Sequence, residues 1–234
     1  MNHPYENRIV YIFGDSLAKG VLLDDATGRY KPGRIIDMAE FERSLGVKIY
    51  NESMFGCTIQ KGCERLKKRL GGGAACDTVL LEFGGNDCDF NWAQVAEAPL
   101  EPHEPKTPLP LFKQTYLEII EYLQPLGVRV ILLVPPPIDS RRYLSWITRN
   151  GLSEERILQF LGEVQRIDHH QQLYALAVMQ VAYQSGCDLV DLRSPFLDKP
   201  LLPYLCRDGI HLNARGQELV MHTLRNLWQL QPTG

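Results

Sequence analysis

Short apolar runs rich in β-branched residues alternate along the chain with longer segments of helical periodicity. The strand-like runs cover residues 8–13, 47–51, 78–83, 128–134 and 189–192. The run at 128–134 is the most apolar in the chain, which is typical of a strand buried on both faces. Five short strands that are each followed by a helical segment predict an α/β fold in which helices cover both faces of a parallel sheet.

In the helical segments, apolar residues recur every three or four positions, as they do on one face of an α-helix. These segments cover residues 36–45, 59–70, 112–123 and 153–185, the last with a break near Gly162, and a C-terminal stretch striped by Val220, Leu224, Leu227 and Trp228. Thr58 and Asn213 stand directly before two of the segments and are predicted to cap them.

One connection departs from this pattern. Residues 91–110 contain prolines at 99, 102, 105, 108 and 110 and show no periodicity. We therefore predict a long structureless loop, of the kind that forms a lid or the wall of a binding site or is disordered. No composition shift suggests a linker elsewhere, so the sequence predicts a single domain over residues 1–234.

Composition and charge exclude several classes of protein. With 44% apolar and 23% charged residues the chain is neither disordered nor fibrous. Its net charge of −3 gives no electrostatic reason to expect a nucleic-acid partner or a stable membrane association. The six cysteines form no Cys-x-x-Cys pair and are predicted to be reduced. Without a visible leader or a long apolar segment, we expect a cytoplasmic protein, whose oligomeric state the sequence leaves open.

Polar and small residues follow the predicted strands. They lie at 14–16, 51–56 and 84–87, and, some distance after the last strand, at 208–211. In an open parallel sheet ligands bind beyond the carboxyl ends of the strands. These four segments are therefore expected to meet at one edge of the sheet.

The residue types in these segments suit nucleophilic catalysis. A serine needs a base to become a nucleophile, and the base needs a third group to hold its tautomer. Asp208 and His211 are three residues apart, so the carboxylate can reach the imidazole of His211 and leave its other nitrogen for Ser16. Gly56 and Asn86 can supply the backbone and amide donors that a developing oxyanion requires.

The same segments resemble the conserved blocks of a known family. They read Phe13-Gly14-Asp15-Ser16-Leu17, then Gly56 alone, then Phe83-Gly84-Gly85-Asn86-Asp87, and finally Asp208-Gly209-Ile210-His211. In this order, and spanning residues 13–211, they are similar to the blocks of the SGNH hydrolases, also called GDSL esterases and lipases. The family often has a proline after the histidine, where this chain has Leu212.

The resemblance implies a flavodoxin-like three-layer α/β/α sandwich with a five-stranded parallel sheet, and an acyl-serine mechanism. In it Ser16 is the nucleophile, His211 the base, and Asp208 the group that orients His211. The oxyanion hole is formed by the Ser16 N–H, the Gly56 N–H and the Asn86 side chain. Gly62 takes the place of Gly56 if the alignment of that block is shifted.

Other residues receive more modest predictions. Asp15 is expected to hold the turn of Ser16, and Cys88 to be a packing residue. Phe90 and Trp92 either line the acyl or alcohol pocket or anchor the proline-rich loop to the core. His169 and His170 are adjacent on a helix, which is poor metal geometry, so neither is assigned a role.

The predicted function is that of a serine esterase for a small or short-acyl ester, with an acetylated carbohydrate as one substrate candidate. No metal and no cofactor is expected. The chain contains no Gly-x-Ser-x-Gly, which excludes the nucleophile elbow of the α/β-hydrolases. Two alternatives stay open: an acyltransferase that uses the same site, and a catalytically silent module that binds acylated sugars.

Overall fold

The fold is built on one parallel sheet. The computed structural model describes residues 8–24, 26–33 and 38–229. Its strands are β1 (Arg8–Gly14), β2 (Val21–Leu23), β3 (Tyr30–Pro32), β4 (Val47–Asn51), β5 (Thr78–Glu82), β6 (Arg129–Val134) and β7 (Asp188–Asp191). Five of them pair in parallel in the order β4-β1-β5-β6-β7, and β2 and β3 form a separate antiparallel hairpin. The predicted α/β class and five-stranded parallel sheet are confirmed.

Helices fill most of the remaining chain. They are α1 (Met38–Leu45), α2 (Ile59–Leu70), α3 (Trp92–Glu97), α4 (Leu109–Leu123), α5 (Ser140–Thr148), α6 (Glu154–Leu161), α7 (Arg166–Ser185), α8 (Ser194–Leu197) and α9 (Ala214–Gln229). The predicted break near Gly162 is confirmed, because Gly162 ends α6 with a φ of 79°. Residues 36 and 37 of the first predicted helix, and the side chains of Leu227 and Trp228, lie outside the described residues.

Alternate residues of each strand face opposite sides of the sheet, as strand geometry requires. On one side, Tyr11, Leu81 and Leu132 belong to a core shared with α2, α4 and α7. On the other side, Val10 and Leu80 belong to a core shared with Leu45 at the end of α1 and with one face of α9. The result is the expected three-layer α/β/α sandwich.

The order of the strands locates the site. Numbered within the large sheet alone, the order is 2-1-3-4-5, the flavodoxin-like arrangement. The strand order reverses at β1, because the chain passes from β1 to β4 on one side and then returns to β5 on the other, and a crevice opens between β1 and β5. Ser16 follows β1 and Asn86 follows β5, so both lie at this crevice.

The prediction of a structureless loop at residues 91–110 is wrong at both ends of the segment, whereas residues 98–108 contain no helix or strand. α3 lies within the segment, begun by Asn91, whose side chain accepts the Gln94 N–H at 3.4 Å, and α4 begins at Leu109. Six residues are too few to show helical periodicity, and Pro110 is tolerated in the first turn of α4 because the N–H groups there have no partner within the helix.

The sequence also misassigned one helix cap. Thr58 makes no side-chain capping bond, whereas Asp87 Oδ1, from the loop after β5, accepts the Ile59 N–H at 2.9 Å. The carboxylate of Asp87 thus lies at the positive end of α2 and ties that helix to the edge of the sheet. The predicted cap at Asn213 is confirmed, since its Oδ1 accepts the Gly216 N–H at 3.1 Å.

The burial of Asp87 predicts how the stability of the protein depends on pH. Burial raises the pKa of Asp87 to about 6, whereas an unfolded aspartate titrates near a pKa of about 3.9. The folded state holds this proton more tightly, so its contribution to stability is full below about pH 4 and is lost as pH rises through about 6.

The variant Asp87→Asn keeps an acceptor for Ile59 but cannot titrate. Relative to this variant, the wild type is expected to lose about 2 kcal/mol of unfolding free energy between about pH 4.5 and 7.5. Urea unfolding of both proteins at the two pH values measures this difference. A stability gap between them that stays constant with pH would contradict the assignment.

Candidate active site

Ser16, His211 and Asp208 form a continuous hydrogen-bonded chain. His211 Nε2 lies 2.8 Å from Ser16 Oγ, and His211 Nδ1 lies 2.7 Å from Asp208 Oδ2. Because an ionised carboxylate only accepts hydrogen bonds, Nδ1 carries the proton and Nε2 is left to accept the Ser16 hydroxyl proton. The structure therefore brings the three predicted residues together, and all three are buried.

Asp208 is held as an anion by four donors. Its Oδ1 accepts the backbone N–H groups of Ile210 and His211 at 3.1 and 3.0 Å, and its Oδ2 accepts the Tyr30 hydroxyl at 3.0 Å as well as the imidazole. Burial by itself raises the pKa of Asp208, but the hydrogen bonds from His211 and from the Ile210 N–H outweigh it and hold that pKa below its usual value. The carboxylate is thus fixed in place and charged.

Aromatic rings surround the imidazole on the side of the hairpin. The ring of Tyr30, on β3, lies 4.7 Å from that of His211, and the ring of Phe55 lies 6.0 Å from it in a stacked arrangement. Trp146, on α5, contacts Tyr30 edge-on. Tyr30 could not be identified from the sequence, because a three-residue strand carries no periodic signal and its partner Asp208 is 178 residues away.

The predicted oxyanion donors reach the same edge of the sheet. Within the described part of the chain, neither the Ser16 N–H nor the Gly56 N–H donates to a protein acceptor. Asn86 lies in the same cavity wall as Ser16, and its Nδ2 donates one hydrogen bond to Asp15 at 2.9 Å, which leaves the second N–H of the amide available.

Among the three predicted oxyanion donors, Gly56 has the weakest structural support. Its neighbour Phe55 lines the cavity, whereas Gly56 itself is exposed and is absent from the described lining. The loop that carries both is joined to the turn of Ser16 by the Met54 N–H, which donates to the Gly14 carbonyl at 3.1 Å. The alternative Gly62 is wrong: its N–H donates to the Thr58 carbonyl inside α2, and it packs against the ring of Phe83.

A cavity of about 410 Å³ opens beside Ser16. Phe90 and Trp92 both line it, and the indole N–H of Trp92 also donates to Asp89 at 2.8 Å, so Trp92 anchors its loop as well. The outer wall comes from α5, α6 and the start of α7, which pack with α3 into a small apolar cluster of their own. This cluster forms a cap over the edge of the sheet.

Two further residues of the cavity wall, His170 and Cys88, have ionisable side chains. His170 lines the cavity between the rings of Phe90 and Tyr174, and its buried Nε2 has no hydrogen-bond partner in the described chain. His170 had no predicted role, since nothing in the local sequence shows that α7 passes the site. Cys88 also lines the cavity, but burial raises its thiol pKa well above the usual range, so it is neutral, in agreement with a packing role.

Asp15 holds the turn of Ser16, as predicted, because its Oδ1 accepts the Leu17 N–H at 2.8 Å. Among residues 8–24, 26–33 and 38–229, no cluster of three or more histidines, cysteines or acidic residues suits a metal ion. In the same residues no helix has the length and apolar character needed to cross a bilayer. All six cysteines are free thiols.

Comparison with known proteins agrees with this geometry. Residues 12–219 match the model of the GDSL-like lipase/acylhydrolase family. A Bos taurus protein named isoamyl acetate-hydrolyzing esterase 1 homolog is 30% identical over 159 residues, which cover 65% of this chain and 54% of that protein. The chain thus matches about half the length of this relative.

Solved structures share the fold. A lipase/acylhydrolase from Enterococcus faecalis superposes with a TM-score of 0.64 at 23% identity, covering 97% of this chain and 99% of the other. A catalytic mutant of an acetylxylan esterase from Geobacillus stearothermophilus superposes with a TM-score of 0.66 at 18% identity, covering 96% and 95% of the two chains.

Proposed function

The chain belongs to the GDSL-like lipase/acylhydrolase family, and from that membership we propose that it is a serine esterase for small carboxylic esters. The observation that carries the proposal is the buried hydrogen-bonded chain from Ser16 through His211 to Asp208. A serine hydroxyl in contact with a neutral imidazole, itself fixed by a carboxylate, is the arrangement that activates a nucleophile for acyl transfer.

In the first half of the reaction, His211 Nε2 takes the hydroxyl proton as Ser16 Oγ attacks the ester carbonyl. The negative charge that develops on the carbonyl oxygen is stabilised by the Ser16 N–H, the Gly56 N–H and the Asn86 amide. When the tetrahedral intermediate collapses, the imidazolium of His211 protonates the leaving alkoxide. The alcohol departs and the acyl group stays on Ser16.

In the second half, water takes the place of the alcohol. His211 Nε2 removes a proton from the water as its oxygen attacks the acyl carbonyl, and the same donors hold the second oxyanion. Collapse of this intermediate returns the proton to Ser16 Oγ and releases the carboxylic acid. Asp208 keeps its charge throughout and stabilises the imidazolium in both halves.

The cavity supports an ester with a short acyl group and an apolar alcohol. Much of the wall beyond Ser16 consists of hydrophobic side chains: Phe90, Ile138, Trp146, Ile147 and Leu152. Such a surface binds alkyl or aryl groups, whereas a sugar would find partners for its hydroxyl groups only at the polar residues of the wall, among them Arg149, Arg166 and His170. Among the relatives, the bovine protein is named for isoamyl acetate, the ester of a branched alkyl alcohol, and the Geobacillus enzyme for acetylxylan. An acetylated carbohydrate is therefore the second substrate candidate.

A panel of esters tests the proposal. We expect p-nitrophenyl acetate and butyrate to be hydrolysed with a kcat/KM at least about tenfold above that for the palmitate, since the proposed substrate carries a short acyl group. Isoamyl acetate should be preferred over an acetylated xylo-oligosaccharide by a similar factor. Preference for the acetylated sugar would assign the carbohydrate alternative instead.

Product analysis separates the remaining alternatives. With an alcohol or sugar acceptor added, an esterase still releases mainly the free acid, whereas an acyltransferase forms the new ester. Mass spectrometry after treatment with an organophosphonate should show one adduct on the peptide that contains Ser16. Thermal stabilisation by esters without turnover and without that adduct would mean a binding module and would overturn the proposal.

A further inference from the structure

Glu82 is a buried acid that the proposed mechanism does not use. It is the last residue of β5 and is 1% exposed. Its Oε2 accepts the Ala18 N–H at 3.3 Å and the Asp15 N–H at 3.5 Å, so the carboxyl group lies directly beneath the turn that carries Ser16. A buried carboxyl group costs free energy unless hydrogen bonds satisfy it.

The approach of β1 to β5 places Glu82 there. A Cβ atom at Gly14 would lie 2.7 Å from the Glu82 carbonyl oxygen and 3.1 Å from its Cβ, so only glycine permits this spacing. The next residue, Asp15, then brings its carboxyl group into hydrogen-bond contact with that of Glu82. The two acids form one unit at the crevice between the strands.

The unit is connected to Asn86. Asp15 Oδ2 accepts the Asn86 Nδ2–H at 2.9 Å, while Asp15 Oδ1 accepts the Leu17 N–H at 2.8 Å. The direction of the Asn86 amide therefore depends on how Asp15 is held. Asp15 in turn contacts Glu82, which also holds the backbone of Ala18, two residues after Ser16.

Glu82 and Asp15 together hold one proton. Two carboxyl groups in contact and out of water cannot both ionise, because burial and mutual repulsion oppose the second charge. Burial, followed by the charge of Asp15, raises the pKa of Glu82 well above its usual range. Glu82 therefore keeps the proton and donates it to Asp15, whose oxygens stay free to accept from Asn86 and Leu17.

We propose that Glu82 is a positioning residue for the oxyanion hole: its hydrogen bonds to Asp15 and to the Ala18 backbone fix both the Asn86 amide and the turn of Ser16. The inference rests on the proposed esterase function. It assigns to Glu82 no contact with the substrate, so its effect is on the transition state and not on binding of the ester.

The variant Glu82→Leu removes both sets of hydrogen bonds at similar volume. We expect kcat for p-nitrophenyl acetate to fall about 10- to 100-fold, up to the loss of one oxyanion donor, while KM changes less than about threefold. Glu82→Gln retains a donor for Asp15 and an acceptor for Ala18, so its kcat should stay within about threefold of the wild type.

A double-mutant cycle distinguishes this role from a merely structural one. In an Asn86→Ala background, Glu82→Leu should cost at least about fivefold less in kcat than it does alone, since the amide it orients is already gone. Thr78→Val, a buried change at the other end of β5, serves as the control for a disturbed strand and should leave kcat unchanged. Equal costs in the two backgrounds would overturn the inference, as would wild-type kcat in Glu82→Leu.

If Glu82→Leu does not fold, Asp15→Asn takes its place. An asparagine there keeps one acceptor for Leu17 but presents an NH₂ group to Asn86, so kcat should fall while Glu82→Gln stays active; equal kcat values for these two variants would overturn the inference. Failure of the proposed function is a separate result, because it would appear as wild-type protein with no hydrolysis of any ester.

Discussion

The substitution Ser16→Ala is expected to lower kcat for ester hydrolysis by about 10⁴- to 10⁶-fold, because the acyl intermediate forms on the Ser16 hydroxyl. Ser16 is the hydroxyl that contacts His211 Nε2, at 2.8 Å. The loss should appear in kcat and kcat/KM together, since the missing interaction exists only in the transition state. Initial rates with p-nitrophenyl acetate, compared with the uncatalysed rate in the same buffer, give the measurement.

Ser53→Ala is a matched control for that variant. Ser53 is buried near the same edge of the sheet, but its Oγ has no hydrogen-bond partner in the described chain. Its replacement should leave kcat unchanged. The double variant Ser16→Ala/His211→Ala should be hardly slower than Ser16→Ala, because residues that act as one unit lose their effect together. Residual activity above about one per cent in Ser16→Ala would show that another nucleophile carries the reaction.

The sequence alone was enough to predict the site residues whose positions follow from local sequence patterns. Ser16 and Asn86 follow strands whose apolar runs are unmistakable, and the carboxyl ends of parallel strands share an edge. Asp208 and His211 are close in the chain, so their contact needs only one turn of backbone. For these residues the prediction of position required no knowledge of the tertiary fold beyond the sheet.

The remainder of the site depends on contacts between distant segments. Tyr30 reaches Asp208 from a hairpin of two three-residue strands, and His170 enters the cavity wall from the start of α7. Glu82 reads as one acid that closes an apolar run, and its partner Asp15 is 67 residues away. Periodicity reports which side of an element is buried, but not which distant group a buried polar side chain will meet.

The second large effect is expected for Asp208→Asn, with a fall in kcat of about 10²- to 10⁴-fold and little change in KM. The geometry decides which way the new amide points. At the position of Oδ1 two backbone N–H groups, from Ile210 and His211, require an acceptor, so the amide oxygen stays there. The NH₂ group must then face His211 Nδ1.

An NH₂ group opposite Nδ1 reverses the tautomer of His211. Nδ1 becomes an acceptor, the proton moves to Nε2, and Nε2 can no longer take the hydroxyl proton from Ser16. The loss is nonetheless smaller than that of Ser16→Ala, because a minority of molecules with the productive tautomer and the intact oxyanion donors still turn over. The Tyr30 hydroxyl, which also meets Oδ2, would retain an unsatisfied donor beside the new NH₂ group.

Tyr30→Phe separates the charge of Asp208 from its other contacts. This variant removes one of the two side-chain hydrogen bonds to Oδ2 but leaves the carboxylate and its contact with His211. Its kcat should therefore fall less than about tenfold, because the tautomer of His211 is unchanged. A loss as large as that of Asp208→Asn would mean that Tyr30, and not the carboxylate, sets the orientation of the imidazole. Near wild-type kcat in Asp208→Asn would show that His211 keeps its tautomer without an anion, and the base would then need another partner.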